Sequence, residues 1–243
     1  ILLWYTEEVF FDNNGLTGHI PSTIGFLKEL EKLDLYDNEL SGSIPKEISD
    51  MSSLARFWAS KNHLNGLIPS EIGLMSDSLV HFCVNHNSLE GAIPNKLSNL
   101  WKMHTLCLEH NRLTGRFFEN NIANMKNMVY LYMDNNDLSG SIPGSIKKLK
   151  FLKEITLHKN KLWGTIPDAI GYLSRLTKIL MNDNFLSGTI PKTLGYLPRL
   201  MEFQIDSNIL SGMVPQSVCD LPFFDPAGIL LNNSPGIQCT CCI

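Results

Sequence analysis

The most reactive side chains of this 243-residue chain belong to six cysteines and seven histidines. Cys83 and Cys107 stand 24 residues apart, and His81, His86 and Glu109 lie close to them in the sequence. Two thiols can stay free, can oxidise to a disulfide, or can share a metal ion with imidazole and carboxylate ligands. Which chemistry applies depends on whether the fold brings the two cysteines together.

The short motifs that mark common catalytic sites do not occur in this sequence. It contains neither G-x-S-x-G nor H-E-x-x-H, and the segment GTIPKT at 188–193 lacks the second glycine of a phosphate-binding loop. The histidines are scattered, without a nucleophile at a fixed spacing. We therefore expect a protein that is not an enzyme and that needs no cofactor.

A repeat of 24 or 25 residues runs through the chain. Each copy has an asparagine, then a leucine two positions later, a glycine four positions later and, in most copies, an Ile-Pro or Val-Pro pair. The anchoring asparagines are Asn14, Asn38, Asn62, Asn87, Asn111, Asn136, Asn160, Asn184 and Asn208. This register predicts a solenoid in which each coil packs on its neighbours.

The stretch FLKELEKLDLYDNELSGSIPKEI, residues 26–48, indicates what one coil must form. Leu33 and Leu35 are two apart, which fits one face of a strand, and Leu27 and Leu30 are three apart, which fits a 3₁₀ turn. A buried anchor asparagine must satisfy its amide, and stacked coils offer backbone groups for that purpose. We expect this structural role at every anchor from Asn38 to Asn208.

The unit L-x-x-L-x-L-x-x-N-x-L-x-G-x-I-P resembles the plant-type leucine-rich repeat over about residues 4–224. The resemblance implies an α/β-type repeat fold: a right-handed solenoid with a parallel concave sheet, short second strands, and 3₁₀ or helical turns on the convex side. It implies about nine repeats over 1–224 and a cap over 225–243. The similarity to extracellular repeat proteins of microalgae and to plant receptor ectodomains implies binding of a protein, peptide or glycan on the concave face.

Side chains two, four and six positions before each anchor should face outward from the sheet. In coils two to six these positions collect aromatic residues and an arginine, types that are enriched in binding hot spots. The candidate ligand-binding residues are Tyr36, Arg56, Trp58, His81, Tyr130, Tyr132 and Asp134. The alternative is that they are ordinary half-exposed residues of a sheet.

Cys83 and Cys107 occupy one outward column on neighbouring strands, so their Cα atoms should lie about 4.8 Å apart. This spacing allows a disulfide, although roughly parallel side chains make its geometry poor. We expect free thiols first, a disulfide second, and a metal site with Glu109 and the nearby histidines third.

The remaining cysteines cluster at the C-terminus, and this cluster resembles the disulfide cap of secreted leucine-rich repeat proteins. The candidates are Cys219, Cys239, Cys241 and Cys242. Four cysteines allow three pairings, among which the sequence does not choose. A zinc site is the competing interpretation, but its ligands would be crowded. A glycosylation sequon begins at Asn232 and supports an oxidising, secretory route.

Composition restricts the partners. A net charge of −4 argues against nucleic acid, which would favour a basic stripe, and no apolar run is long enough to span a membrane. We expect a protein or peptide partner, with a glycan as the alternative ligand, at an extracellular or cell-surface location. The alternative is a scaffold subunit in an assembly inside an organelle lumen. Ice binding ranks lower because the outward columns mix size and charge.

Two places depart from the regular pattern. The chain opens at ILLWYTEEV without a polar cap, so we expect a missing N-terminal piece or another protein to cover that end of the core. After Gly115, Phe117 and Phe118 stand where Ile-Pro is expected. They indicate either a tolerated bulge or a lateral contact for a partner.

Overall fold

The computed structural model describes residues 5–119, 122–221 and 236–238. Within them the chain winds through nine coils, each of which contributes one strand to a main sheet and one to a second sheet. All recorded pairings between strands are parallel. The prediction of a solenoid with parallel sheets and 3₁₀ turns is confirmed.

The main sheet has nine strands that follow one another in chain order, so coils 1 to 9 are numbered by these strands. The odd-numbered strands form this sheet: β1 Glu8–Phe10, β3 Lys32–Asp34, β5 Arg56–Trp58, β7 His81–Cys83, β9 Thr105–Cys107, β11 Tyr130–Tyr132, β13 Glu154–Thr156, β15 Lys178–Leu180 and β17 Glu202–Gln204. In each, the central residue points into the core, as Phe57 and Leu131 do, while its neighbours face outward.

A second sheet, with ten strands among the described residues, lies on a different side of the coils from the main sheet. Its strands are β2 Thr17–His19, β4 Glu39–Gly42, β6 His63–Gly66, β8 Ser88–Ala92, β10 Arg112–Gly115, β12 Asp137–Gly140, β14 Lys161–Thr165, β16 Phe185–Gly188, β18 Ile209–Met213 and β19 Gly236–Gln238. A proline follows most of these strands. It has no N–H to extend the ladder, and its carbonyl starts the next turn, as when Pro45 accepts a hydrogen bond from the Ile48 N–H.

Short helical turns close each coil on the side away from the main sheet. The 3₁₀ turns are Ser22–Phe26, Lys46–Asp50, Ser70–Leu74, Asn95–Asn99, Phe117–Glu119, Ile122–Asn124, Gly144–Lys148, Asp168–Tyr172 and Lys192–Tyr196, and one α-helical turn covers Gln216–Cys219. None of these helices is long and apolar enough to cross a membrane among the residues that the structure describes.

The anchor asparagines bind backbone groups of two coils. The Asn62 side-chain N–H groups donate to the Leu35 carbonyl of the preceding coil at 2.9 Å and to the Ala59 carbonyl of its own coil at 3.3 Å. Its Oδ1 accepts the Leu40 N–H at 2.9 Å. Equivalent bonds are made by Asn38, Asn87, Asn111, Asn136, Asn160, Asn184 and Asn208. These ladders join consecutive coils where a buried peptide group would otherwise lack a partner.

The fifth coil corrects one sequence-based interpretation. Phe117 and Phe118 are each only 2% exposed and contact each other edge to face, with ring centroids 5.8 Å apart. The proposal that they offer a lateral contact to a partner is therefore wrong. They take the core position of the missing Ile-Pro pair, and two short 3₁₀ turns replace the usual single one.

Several predicted features lie outside the described residues. These are the glycosylation site at Asn232, three of the four C-terminal cysteines (Cys239, Cys241 and Cys242) and the first residues of the proposed uncovered N-terminal end. Cys219, the fourth C-terminal candidate, is disulfide-bonded.

Candidate functional site on the main sheet

A bonded pair of cysteines lies in the middle of the outward face of the main sheet, where each cysteine is 8% exposed. Cys83 pairs directly with Cys107 across β7 and β9, their Cα atoms lie 4.4 Å apart, and they form a disulfide. The first expectation, free thiols, is wrong, because direct register on adjacent parallel strands brings the two sulfurs within bonding reach. The third expectation fails as well, since no group of metal-binding side chains is assembled among the described residues.

Aromatic side chains flank this disulfide on both sides. The register places Trp58 of β5 opposite Cys83 and Tyr132 of β11 opposite Cys107. The four residues thus form one column across coils 3 to 6, with large rings at its ends and the low disulfide between them. At about 4.8 Å per strand the aromatic ends stand roughly 14 Å apart. We call this column the notch: Trp58, Cys83, Cys107 and Tyr132.

The Trp58 side of the notch carries hydrogen-bond donors that no acceptor satisfies. The Arg56 guanidinium stacks over the Trp58 ring, 4.3 Å from its centroid. Arg56 Nε and Trp58 Nε1 are both buried, and neither has a hydrogen-bond partner among the residues that the structure describes. A buried donor without a partner costs about 1–3 kcal/mol, so this side of the notch favours a ligand that supplies an acceptor.

The Tyr132 side is held in place by hydrogen bonding. The Tyr132 hydroxyl donates to Glu154 Oε2 at 2.8 Å, and the rings of Tyr130 and Tyr132 lie 6.1 Å apart. Burial, followed by the bond to Glu154, raises the pKa of Tyr132 well above its usual value. The phenol is therefore neutral, and its ring is available for stacking.

Carboxylates line the edge of the notch two positions further along the strands. Asp134 is only 6% exposed and accepts hydrogen bonds from Thr156 Oγ1 at 2.5 Å and Asn135 Nδ2 at 2.8 Å. The His158 Nε2 atom lies 3.4 Å from the same carboxylate. The oxygens of Asp134 thus accept bonds from neighbouring side chains, and its assignment as a ligand-binding residue stays a prediction.

Glu109 differs from Asp134 because its Oε2 is buried and has no hydrogen-bond partner within the described part of the chain. Burial raises the pKa of this carboxyl to about 7, and the negative charge of Asp134 acts in the same direction. Sequence analysis placed Glu109 in an outward column and near the cysteines as a possible metal ligand, but left it out of the ligand-binding residues. The signal that could have included it is its position two before an anchor, which it shares with Tyr36 and Asp134.

Neutral histidines complete the surroundings of the notch. His81 Nδ1 lies 3.0 Å from Thr105 Oγ1, and burial followed by the charge of Arg56 lowers the pKa of His81. His86 and His110 stack with ring centroids 4.2 Å apart, and burial followed by His110 lowers the pKa of His86. His81 and His86 therefore add polar, uncharged surface at neutral pH.

Tyr36 lies outside the notch. It belongs to coil 2, in the column of Glu109 and Asp134, and the Lys61 ammonium lies 5.0 Å from its ring centroid. The structure thus brings Arg56, Trp58, His81, Tyr130 and Tyr132 around the disulfide, with Asp134 at one edge and Tyr36 further along the face.

The family model for the Leucine Rich Repeat matches residues 29–51 and 127–149. The plant peptide hormone receptor RGFR1 in complex with RGF2 is similar in structure, with 30% identity, 96% of this chain and 39% of that chain covered, and a TM-score of 0.87. The chain is a plant-type leucine-rich repeat solenoid. A search of curated proteins found no match.

Two further solved structures resemble this leucine-rich repeat solenoid. The Arabidopsis receptor kinase HAESA, in complex with the peptide hormone IDA and the co-receptor SERK1, shares 30% identity over 90% of this chain and 36% of its own, with a TM-score of 0.84. A plant ice-binding protein shares 26% identity over 96% of this chain and 83% of its own, with a TM-score of 0.71. The solenoid therefore spans less than two fifths of the two receptors' length.

Proposed function

We propose that this chain is a non-enzymatic binding module that holds an extended peptide segment of a partner against the exposed main-sheet face of coils 3 to 6. The observation that carries this proposal is the notch, where Trp58 and Tyr132 flank a low disulfide and buried polar atoms lack partners. Aromatic rings beside an arginine are the usual anchors of a binding hot spot.

Similarity to receptors supports the peptide as ligand. RGFR1 is a peptide hormone receptor solved in complex with RGF2, HAESA was solved with the peptide hormone IDA, and both align with nearly all of this chain. A glycan remains the alternative ligand, since aromatic faces also suit sugar rings. The disulfides at Cys83, Cys107 and Cys219 support a location outside the cell or at its surface, where thiols are oxidised.

An ice-binding role is not favoured, although a plant ice-binding protein shares the fold. A flat, repetitive ladder of small polar groups would be needed. On the second sheet the exposed column that follows each buried leucine contains serines and threonines, but Glu90 and Trp163 interrupt it. On the main sheet the outward columns mix rings, charges and a disulfide.

The proposal is tested by selecting binders from a display library of random linear peptides on the purified chain. Selected peptides are synthesised, and their affinities are measured by isothermal titration calorimetry. We expect Trp58→Ala and Tyr132→Ala each to weaken binding tenfold or more, about 1.4 kcal/mol, as truncation of a hot-spot ring does.

The matched control is Trp163→Ala. Trp163 is 45% exposed on the second sheet and lies under the guanidinium of Arg116 at 5.7 Å, so it reproduces the Arg-Trp pair away from the notch. This variant should bind like the wild type. Selected peptides that bind both main-sheet variants with wild-type affinity would show that the face is not the binding site.

A further inference from the structure

We propose that the bound segment presents a lysine or arginine whose cationic head pairs with Glu109 while its aliphatic stem lies over the Cys83–Cys107 disulfide. This inference rests on the proposed function and names the chemistry of the ligand at the same site. It assigns Glu109 as the residue that determines specificity.

The backbone places Glu109 on the same face as the disulfide. Beyond β9 the parallel ladder continues, since the Leu108 N–H donates to the Tyr132 carbonyl at 2.8 Å and the His110 N–H to the Asp134 carbonyl at 3.0 Å. Residues two apart on a strand share a face and lie about 7 Å apart, so Glu109 lies beyond Cys107 at the edge of the notch. A lysine or arginine stem can cross the apolar disulfide and reach the carboxylate.

The carboxylates of Glu109 and Asp134 at this edge of the notch favour a cationic group in the ligand. Glu109 Oε2 is buried and has no hydrogen-bond partner among the described residues. The oxygens of Asp134 beside it accept hydrogen bonds from Thr156 and Asn135, and His158 Nε2 lies 3.4 Å away. Ionising a largely buried carboxylate with one unpartnered oxygen is costly, whereas a hydrogen-bonded ammonium or guanidinium offsets the lost hydration. The adjoining aromatic ring of Tyr132 also attracts a cation.

The opposite side of the notch has the opposite polarity. Arg56 Nε and Trp58 Nε1 are donors without acceptors, two strands away from Glu109. A backbone carbonyl of the same peptide satisfies them while the basic side chain points toward coil 5. The notch thus has unpaired donors at its Trp58 end, a carboxylate at its edge beside Cys107 and an apolar disulfide between them, which suits a peptide with a basic side chain.

Binding of a cation at Glu109 should depend on pH. The group titrates near pH 7 in the free chain, and a bound cation favours its ionised form, so affinity should increase about tenfold between about pH 6 and pH 8. The other titratable groups around it are Asp134 and Tyr132 from coil 6, His86 from coil 4, and His110. Tyr132 and His86 are neutral above pH 7, because burial raises the pKa of the first and lowers that of the second.

The test uses two display libraries of random linear peptides, one with all residues and one without lysine and arginine, selected at about pH 8 on the wild type. Peptides whose binding needs Trp58 should come from the first library only. Replacing their basic residue by norleucine or citrulline should weaken binding tenfold or more. Glu109→Gln should cause the same loss and abolish the increase with pH.

Two control variants isolate Glu109. Glu90→Gln removes one negative charge from the exposed second sheet of the neighbouring coil, and affinity should stay within twofold. His110→Gln should keep the increase between pH 6 and pH 8. Thermal melting of each variant verifies that it is folded.

The outcomes separate this inference from the proposed function. Trp58-dependent peptides that arise equally well without lysine or arginine, or that ignore Glu109→Gln, overturn the inference and leave the binding site in place. Trp58-dependent peptides enriched in acidic residues would assign the notch to Arg56 instead and also overturn it. If neither library yields Trp58-dependent peptides, the proposed function fails and the inference fails with it.

Discussion

Cys83 and Cys107 are bonded across two directly paired strands, with Cα atoms 4.4 Å apart, in the centre of the exposed main-sheet face. The bond links coil 4 to coil 5 and closes a loop of 24 residues. In a solenoid each coil packs only on its neighbours, so such a bond fixes the relative position of the two central coils of the notch. It joins stability and binding in one feature.

Removing this disulfide should lower stability. For the double variant Cys83→Ala, Cys107→Ala we expect a loss of about 3 kcal/mol in the free energy of unfolding. Without the cross-link the unfolded chain has more conformational entropy, and for a loop of this length that entropy stabilises the unfolded state by about this amount. Urea denaturation under oxidising conditions measures it and leaves the bond at Cys219 intact. A double variant within about 0.5 kcal/mol of the wild type would show that the bond contributes little.

Glu109→Gln should stabilise the free chain at alkaline pH. The pKa of this carboxyl is raised to about 7 in the folded state from 4.5, so the folded chain binds the proton more tightly than the unfolded chain does. The stability from this group is fully present below pH 4.5 and is lost as the pH rises through about 7. At about pH 8 the glutamine variant should therefore be more stable by up to about 3 kcal/mol.

The measurement for Glu109→Gln is urea denaturation at about pH 4 and pH 8, with Glu90→Gln as the exposed control. The difference between Glu109→Gln and wild type should be larger at the higher pH and nearly zero at the lower one. An equal difference in the free energy of unfolding at both pH values would mean that burial does not raise the pKa of Glu109. A residue that costs stability when unliganded is typical of a binding site.

Much of the fold could be predicted from the sequence because its signals are local and repeated. Leu33 and Leu35, two apart before an anchor, are core residues at 1% and 7% exposure, as the alternation predicts. The fifth coil was ambiguous because Phe117 and Phe118 suit either a core or a contact surface. Only the space left by the missing Ile-Pro pair decides between them.

For the candidate site, the sequence predicted which side chains face outward, but not which hydrogen bonds those side chains make. Strand alternation placed Trp58, Tyr132 and Asp134 on the outward side. Side chains that are neighbours on adjacent strands, however, are separated by 24 or 25 residues in the sequence. Whether Asp134 or Glu109 keeps a free oxygen depends on the side-chain conformations of Thr156 and His158, which no spacing encodes. The direct register of Cys83 with Cys107 was predicted from the repeat, whereas the spacing left open whether the two thiols are free or bonded.

Substitution of an anchor asparagine should be costly. In Asn136 the side-chain N–H groups donate to the carbonyls of Leu108, Met133 and Asp134 at 3.0, 3.2 and 3.1 Å, and Oδ1 accepts the Leu113 N–H at 2.9 Å. Asn136→Leu leaves these groups unpaired, and we expect a loss of about 3 kcal/mol, since each buried orphan costs about 1–3 kcal/mol.

The matched control for this anchor is Asn127→Leu. Asn127 makes one surface hydrogen bond, from Nδ2 to the Trp101 carbonyl at 3.1 Å, so its loss should cost about 1 kcal/mol or less. Chemical denaturation of both variants measures the difference. Equal losses would contradict the role of the anchors in joining coils.

Two glycines in the 3₁₀ turns should respond in opposite directions to alanine. A Cβ on Gly171 would lie 2.2 Å from the Thr193 carbonyl oxygen of the next coil, and this backbone atom cannot move without shifting the turn Lys192–Tyr196. Overpacking of this kind costs about 1–3 kcal/mol, so Gly171→Ala should destabilise the chain by that amount.

At Gly144 a Cβ would meet nothing within 4 Å among the described residues. Neither glycine has a positive φ, so Gly144→Ala should be neutral or stabilising by about 0.4–1 kcal/mol through the unfolded state. Melting curves for both variants decide the matter: if Gly171→Ala melts at or above the wild-type temperature, adjacent turns are not packed closely enough to exclude a methyl group, and the stacking of coils 7 and 8 on this side is looser than the structure shows.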